Sequence, residues 1–225
     1  MKIVDLSREL YHRTPSYPGH PPVMHGMWKT HEEALAESRN VYGLSSMFIS
    51  MPDHAGTHID APRHFGRSGI SIDQYPLEKC IVPGICLDLR HIPPRAEITP
   101  SDLEMAVEKA GAPVPKGGTV LLCTGHHERT FPRKEYSTDN PGVNVAATEW
   151  LAKQGIVHFG IDSMRPGPDS DKPAGSQGLS RPRHHPHREP VQSRSAARPG
   201  PIYLHRPANE MARRDGFTNP RCGCI

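Results

Sequence analysis

The stretch that decides the fold and the site runs from Ser50 to Phe65 and reads Ser-Met-Pro-Asp-His-Ala-Gly-Thr-His-Ile-Asp-Ala-Pro-Arg-His-Phe. Within it, His54, His58 and Asp60 are residue types that bind a divalent transition metal through imidazole nitrogens and a carboxylate oxygen. Such a ligand set leaves coordination positions open, and a catalytic ion needs these for water and substrate. The stretch therefore predicts a catalytic metal site.

The spacing of the three residues supports this prediction. His58 and Asp60 are two positions apart, so their side chains point the same way on an extended segment. A turn at Ala55 and Gly56 would return His54 to the same ion, since glycine adopts backbone conformations that other residues resist. We therefore expect one ion held by residues close together in the chain.

His64 is the candidate general acid/base beside the ion. It follows Pro62, which disfavours a helix running through Asp60 to His64. An unperturbed histidine has a pKa near neutrality, which suits proton transfer. The alternative is chance clustering, because the chain has 15 histidines in 225 residues. A His-x-x-x-His spacing alone is weak, but this set also contains an aspartate and a further histidine among glycine and prolines.

The pattern His54-x-Gly56-Thr57-His58-x-Asp60-x-Pro62-x-His64-Phe65 resembles the signature of the metal-dependent cyclase family, which includes bacterial kynurenine formamidase and isatin hydrolase. The resemblance extends over about residues 1–171. Its flanking parts resemble the family's N-terminal strand, its aromatic-Pro-Gly loop and its middle portion: Val4–Ser7, Tyr17–Gly19, Thr119–Gly125, Pro141-Gly142, Glu149–Leu151 and Gly160–Ser163.

The resemblance implies an α/β fold, with a layered mixed sheet and a small β-barrel-like core, and we expect the C-terminal part, which the resemblance does not cover, to be irregular. It also implies a metal-dependent hydrolase of amide-type C–N bonds, acting on N-formylkynurenine in tryptophan catabolism or on a cyclic amide such as isatin. Zn or Mn would be the cofactor, and His64 would take a proton from water and pass it to the leaving nitrogen. A serine-hydrolase route is not supported, because the chain has no Gly-x-Ser-x-Gly motif.

Three further residues receive roles from this comparison. Tyr17 would contact the substrate, although a plain surface aromatic is the alternative. Asp53 and Thr57 would steady the metal ligands without reacting. His20 stands where relatives carry an acidic residue, which would alter the polarity near the substrate.

Other functions remain as alternatives. The same residues would serve a dehydration or a lactone opening within the family. A catalytically defective, metal-binding relative with an incomplete fold is the second possibility. A nucleic-acid-binding role ranks last, because the basic segment that would carry it lacks interleaved aromatic residues.

The composition changes at Lys172. Residues 172–225 contain ten Lys and Arg against three Asp and Glu, a balance of +7, whereas the whole chain has +3. They also contain eight prolines but only six Val, Ile, Leu or Phe, too few to bury a core. We therefore divide the chain into a hydrolase domain, 1–171, and an aberrant, disordered tail, 172–225.

A frameshift near Ala174 would explain this tail. With permitted codons, a one-base shift over Gly175 to Pro190 can encode AHKACLDHDITLIENL, and the same treatment of Gly216 to Ile225 can give DSPIRAVAV, which resembles the family's closing strand. In the kynurenine formamidase branch, a His and a Glu from this region complete a second metal site. Gly175 and its neighbours do not match them, so the resemblance carries over one ion only.

The remaining expectations concern location, partners and local structure. The residues after Met1 resemble a strand rather than a signal peptide, no apolar run has membrane length, and three of the five cysteines lie in apolar surroundings, which predicts a cytoplasmic protein. A small-molecule amide would be its partner, with no nucleic acid and no membrane, and the family suggests a homo-oligomer. The local predictions are strands at Lys2–Leu6, Ser45–Ser50, 118–123 and 156–162, helices within 28–40, 99–111 and 144–153, and a solvated loop at His126-His127-Glu128.

Overall fold

A computed structural model of the chain describes residues 3–167 and the backbone of residues 202–205. The chain divides into two units, Arg8–Gly56 and a second unit formed by Met1–Ser7 with Thr57–Ile225. None of the described helices is long and apolar enough to cross a membrane.

The unit Arg8–Gly56 is a two-stranded antiparallel ribbon with one helix between its strands. It consists of β1 (Met24–Lys29), α1 (His31–Glu37) and β2 (Ser46–Ser50). A capping box begins α1, because the Thr30 hydroxyl accepts from the Glu33 amide and the Glu33 carboxylate accepts from the Thr30 amide. The predicted strand at 45–50 and the predicted helix within 28–40 are confirmed, although Trp28 itself lies in β1.

The second unit is built on a four-stranded parallel sheet in the order β3-β5-β7-β8. Its elements in chain order are α2 (Pro62–Phe65), β3 (Gly84–Asp88), β4 (Glu97–Ile98), α3 (Pro100–Ala110), β5 (Thr119–Cys123), α4 (His126–Thr130), α5 (Glu135–Thr138), β6 (Gly142–Val143), α6 (Val145–Lys153), β7 (His158–Ile161) and β8 (Ile202–His205). β4 and β6 form a separate parallel pair.

Helix α3 shows how the sequence sets these boundaries. Thr99 caps it by accepting from the Asp102 amide, Pro100 occupies its first turn, and Gly111 ends it with a φ of 66° in the left-handed region. Its buried residues, including Leu103, join an apolar core that strands β3, β5 and β7 and helix α6 also supply. The predicted helices at 99–111 and 144–153 are confirmed.

The predicted fold class is confirmed only in part. The fold is a mixed α/β arrangement with small sheets, as predicted, but the described residues show no barrel: the largest sheet has four strands in an open order. The strand predicted at Lys2–Leu6 is not found: residues 3–6 have no strand conformation, and none of the described strands pairs with them. Of the three cysteines in apolar surroundings, Cys86 is buried, Cys123 is partly buried and Cys80 is exposed.

The tail predicted for 172–225 lies almost wholly outside the described residues. Its segment Ile202–His205 forms β8, which pairs in parallel with β7. For the other residues of the tail, both irregular structure and the frameshift stay predictions.

A buried cluster of three polar side chains connects the first residues of β5 and β7 with the segment after α2. The Tyr75 hydroxyl lies 3.1 Å from His158 Nε2, and the Thr119 hydroxyl lies 3.0 Å from His158 Nδ1. All three residues are buried. Desolvation, aided by the positive charge of Lys79, lowers the pKa of His158 to about 4. His158 is therefore neutral at pH 7 and holds two hydroxyl groups together.

We predict that His158 makes the fold acid-sensitive. Unfolded histidine binds a proton near pH 6.5, whereas folded His158 binds one only near pH 4. Its contribution to stability is therefore complete above pH 6.5 and is lost as the pH falls to about 4. We expect the free energy of unfolding to fall by an amount on the order of 2–3 kcal/mol between pH 6.5 and pH 4. The measurement is a urea titration at each pH in the presence of a metal chelator.

The control for this prediction is a pair of histidine variants. His158→Gln should flatten the pH dependence between 6.5 and 4, while His91→Gln, at an exposed histidine, should keep it. The same pH dependence in His158→Gln and in the unmodified chain would contradict the assignment.

Candidate metal centre

The segment after β2 turns sharply at Gly56. The Ala55 amide donates to the Pro52 carbonyl at 3.2 Å, and Gly56 follows with a φ of 70°. This left-handed conformation is one that glycine adopts without penalty. A Cβ at Gly56 would also lie 3.0 Å from Leu10 Cδ2, closer than ordinary packing allows. The turn predicted at Ala55 and Gly56 is therefore present.

Three side chains meet in the seven residues from His54 to Asp60. His54, His58 and Asp60 each offer one ligand atom, and these atoms all lie within 4.8 Å of one another. His58 Nε2 lies 3.1 Å from Asp60 Oδ1. Within the part of the chain that the structure describes, no other three His, Cys, Asp or Glu residues meet this criterion. The predicted ligand set is thus brought together by local chain geometry.

The donor chemistry and burial of this cluster fit a divalent ion. The two histidines are partly buried and Asp60 is only 5% exposed, so water solvates the carboxylate poorly. A carboxylate at that depth is stabilised by a positive or hydrogen-bonding neighbour, which an ion would supply. Two imidazoles and one carboxylate suit Zn and Mn alike, so the residues accept either metal.

His64 lies outside this three-residue cluster. It belongs to α2, which begins at Pro62, so no helix runs from Asp60 to His64, as predicted. Its side chain is exposed and packs edge-on against Phe65, with ring centroids 4.8 Å apart. Exposure leaves the imidazole accessible to solvent. The general acid/base role of His64 stays a prediction.

The ring of His20 lies between the rings of Tyr17 and His54, and His54 is a candidate metal ligand. The Tyr17 and His20 ring centroids are 5.3 Å apart, and those of His20 and His54 are 5.8 Å apart. Tyr17 is 37% exposed, so part of its side chain is accessible from solvent. The sequence singled out both residues of the loop, but only the structure shows that His20 stands between Tyr17 and His54.

Asp53 and Thr57 each precede a candidate metal ligand in the chain, His54 and His58 respectively. Asp53 Oδ2 lies 3.6 Å from His54 Nε2, longer than a hydrogen bond, and the Asp53 side chain is 88% exposed. Thr57 is partly buried. Their predicted role in steadying the ligands stays a prediction.

The interpretation of His126 and His127 as a solvated loop is wrong. Both lie in α4 and are buried, His126 completely and His127 to 3% exposure. His126 stacks on Tyr136 and donates from Nε2 toward the Tyr136 carbonyl at 3.0 Å, while His127 stacks on Phe131. The aromatic residues four to ten positions downstream, Phe131 and Tyr136, were the signal for this burial.

Asp162 ties the end of β7 to the end of β5. Its Oδ1 accepts from the Thr124 amide at 2.9 Å, and the residue is 3% exposed. Desolvation raises the pKa of this carboxyl, while hydrogen bonds from Thr124 and Gly125 act in the opposite direction. The Gly160–Ser163 segment therefore has a structural role at the carboxyl ends of these strands.

We predict that Gly56→Ala weakens metal binding. The added methyl group meets Leu10, and the φ of 70° costs a non-glycine residue about 1 kcal/mol or more. We expect a several-fold weaker affinity for Zn²⁺ in a competition titration with a chromogenic chelator. Gly111→Ala, also at a positive φ but with no neighbour within 4 Å of its Cβ, is the matched control and should bind normally. Equal affinities in both variants and the unmodified chain would contradict this prediction.

Comparison with known proteins places these features in one family. The family model described as "Putative cyclase" matches residues 4–168. Kynurenine formamidase from Sphingopyxis alaskensis is 29% identical over 171 residues, which cover 76% of this chain and 73% of that protein.

Solved structures share the fold at lower identity. Isatin hydrolase A from Labrenzia aggregata, bound to benzyl benzoate, has a TM-score of 0.69 at 20% identity and covers 91% of this chain and 79% of its own. A structure described as a predicted metal-dependent hydrolase from Bacillus stearothermophilus has a TM-score of 0.60 at 22% identity, covering 91% and 81%. At these identities the likeness shows the fold.

Proposed function

The chain belongs to the cyclase family, and on that premise we propose that it is a metal-dependent hydrolase of amide-type C–N bonds. The observation that carries the proposal is the convergence of His54, His58 and Asp60, whose ligand atoms lie within 4.8 Å of one another. This ligand set leaves coordination positions open for water and substrate.

Two substrate classes follow from the relatives. An aryl formamide such as N-formylkynurenine is supported by the similarity to a kynurenine formamidase. A cyclic amide such as isatin is supported by the shared fold of isatin hydrolase A. Both are planar aromatic molecules with an amide carbonyl, and the partly exposed ring of Tyr17 suits contact with either. We favour the aryl formamide, because the identity to that relative is higher.

The residues have distinct tasks in this proposal. His54, His58 and Asp60 would hold one Zn or Mn ion, which when bound acidifies a water molecule and polarises the substrate carbonyl. His64 accepts the proton of the attacking water and passes it to the leaving nitrogen. Tyr17 stacks on the aromatic ring of the substrate, while Asp53 and Thr57 orient the ligand side chains.

The test is to incubate the purified chain with N-formylkynurenine or with isatin in the presence of Zn²⁺ or Mn²⁺. Hydrolysis is measured from the absorbance of the product. We expect turnover of the formamide, and its loss in Asp60→Asn, which keeps the side-chain shape but removes the ligand charge. Turnover of isatin alone would assign the cyclic-amide class.

A second candidate function is a metal-binding relative without activity. The change of composition from Lys172 onward favours it, since that part of the chain has the basic, proline-rich character described above. Metal binding with no turnover of either amide would support this candidate over the hydrolase. Turnover of a lactone but of neither amide would indicate a different reaction at the same residues.

A further inference from the structure

The ring of His20 is held beside a candidate metal ligand by a tight turn. Tyr17-Pro18-Gly19-His20 forms a β-turn in which the His20 amide donates to the Tyr17 carbonyl at 3.0 Å. Gly19 has a φ of 93° and follows a proline, and both features are typical of a type II turn. The turn therefore fixes the backbone at His20, and the centroid of its ring lies 5.8 Å from that of His54.

One nitrogen of the His20 ring lacks a hydrogen bond. His20 is partly buried, and its Nδ1 atom is buried with no hydrogen-bond partner among the described residues. In a neutral histidine that carries its proton on Nε2, Nδ1 is an acceptor. A buried acceptor without a donor is destabilising. A donor is therefore expected beside Nδ1 when the site is complete.

His54 presents such a donor when it binds an ion. A histidine that holds a metal through one ring nitrogen almost always donates from the other nitrogen to an acceptor, which fixes the orientation of the ring. Two imidazole rings joined by an N–H···N hydrogen bond have centroids about 5 Å apart. The centroids of His20 and His54 are 5.8 Å apart and their planes are inclined by 41°. A small rotation of either side chain would therefore bring the two nitrogens into contact.

Asp53 is the other acceptor beside His54. Its Oδ2 lies 3.6 Å from His54 Nε2, longer than a hydrogen bond, and its side chain is 88% exposed. Water competes for an exposed carboxylate, whereas a hydrogen bond between groups that are shielded from water is stronger. The burial of Nδ1 therefore favours His20 over Asp53 as the partner of His54.

We propose that His20 is a positioning residue of the metal centre, whose Nδ1 accepts a hydrogen bond from the ring N–H of His54 and orients that ring toward the ion. The proposal rests on the metal centre of the proposed function, where His54, His58 and Asp60 fit a divalent ion. His20 lies outside this three-residue cluster, so it acts on the ion only through His54.

The test compares two substitutions of similar shape at His20. His20→Asn can place a carbonyl oxygen where Nδ1 stands, whereas His20→Leu has the same branching and no acceptor. The affinity of the full chain for Zn²⁺ is measured by competition with a chromogenic chelator. We expect His20→Leu to bind Zn²⁺ about 10–100-fold more weakly and His20→Asn to stay close to the unmodified chain. His20→Phe, which keeps a ring but has no acceptor, should bind as weakly as His20→Leu.

A nuclear magnetic resonance measurement detects the hydrogen bond itself. In the isotopically labelled, Zn²⁺-loaded chain, the ring N–H of His54 should show a scalar coupling to His20 Nδ1, which ring packing alone does not produce. The coupling should be absent in His20→Phe. This readout does not depend on the activity of the protein, and it separates the hydrogen bond from a general effect of the substitutions on folding.

The outcomes separate this proposal from the proposed function. Equal Zn²⁺ affinities of His20→Asn and His20→Leu, or no coupling in the unmodified chain, would overturn the role of His20 and leave the metal centre standing. A larger loss of affinity in Asp53→Ala than in His20→Leu would assign the orienting hydrogen bond to Asp53 and overturn it too. An unmodified chain that binds no Zn²⁺ would overturn both the role of His20 and the proposed function.

Discussion

Replacement of His58 by alanine is expected to lower the affinity of the chain for Zn²⁺ or Mn²⁺ by at least about 100-fold. Removal of residues that only orient a metal ligand already costs 10–100-fold, so loss of a ligand itself should cost at least the upper value. His58 Nε2 lies 3.1 Å from Asp60 Oδ1, and its ligand atom belongs to the cluster spanning 4.8 Å. The affinity is measured by competition with a chromogenic chelator, and hydrolysis of N-formylkynurenine should fall with it.

His91→Ala is the matched control for this variant. The His91 side chain is 56% exposed, its nearest charged partner is Asp102 at 4.0 Å, and it lies outside the metal cluster. It should bind metal as the unmodified chain does. Equal affinities of His58→Ala and His91→Ala would show that the cluster does not hold the ion.

Replacement of His64 by glutamine is expected to reduce the turnover number by about 10²–10⁴-fold while leaving the metal content unchanged. Glutamine has a similar size and can form hydrogen bonds, but it cannot take up and release a proton near neutral pH. Because His64 lies outside the three-residue cluster, the ion should stay bound. Turnover of N-formylkynurenine and metal content are measured on the same preparation.

The two readouts distinguish a proton-transfer role from a structural one. Full activity in His64→Gln would exclude the general acid/base assignment. Loss of metal along with activity would make His64 part of the ion's environment instead. His91→Gln, at an exposed histidine, should change neither quantity.

The convergence of His54, His58 and Asp60 was predictable from the sequence because the three residues lie within a stretch of seven. Over so short a distance, the left-handed Gly56 and the alternation of an extended segment fix which side chains meet. The helix α3 was predictable for the same reason, since Thr99, Pro100 and Gly111 act within one turn of its ends. Local rules therefore account for both.

Burial was harder to predict where it depends on distant residues. His126 is polar and follows a strand, so local rules indicated a solvated loop, yet Tyr136 supplies a ring and a carbonyl that enclose it. Trp28 lies in β1 because that strand pairs with β2 about twenty residues later. The barrel-like core was likewise expected from the resemblance, whereas the described strands form three separate sheets, the largest of which has four strands in an open order. In each case tertiary packing decided the outcome.

The most direct measurement is the metal content of the purified full chain after exposure to Zn²⁺ or Mn²⁺ and removal of the excess, by elemental analysis. About one ion per chain is expected, since His54, His58 and Asp60 form the one cluster of this kind in the described residues. His54→Ala, treated identically, should retain none. An unmodified chain that binds no ion, or that keeps its ion in His54→Ala, would contradict the metal centre on which the proposed hydrolysis depends.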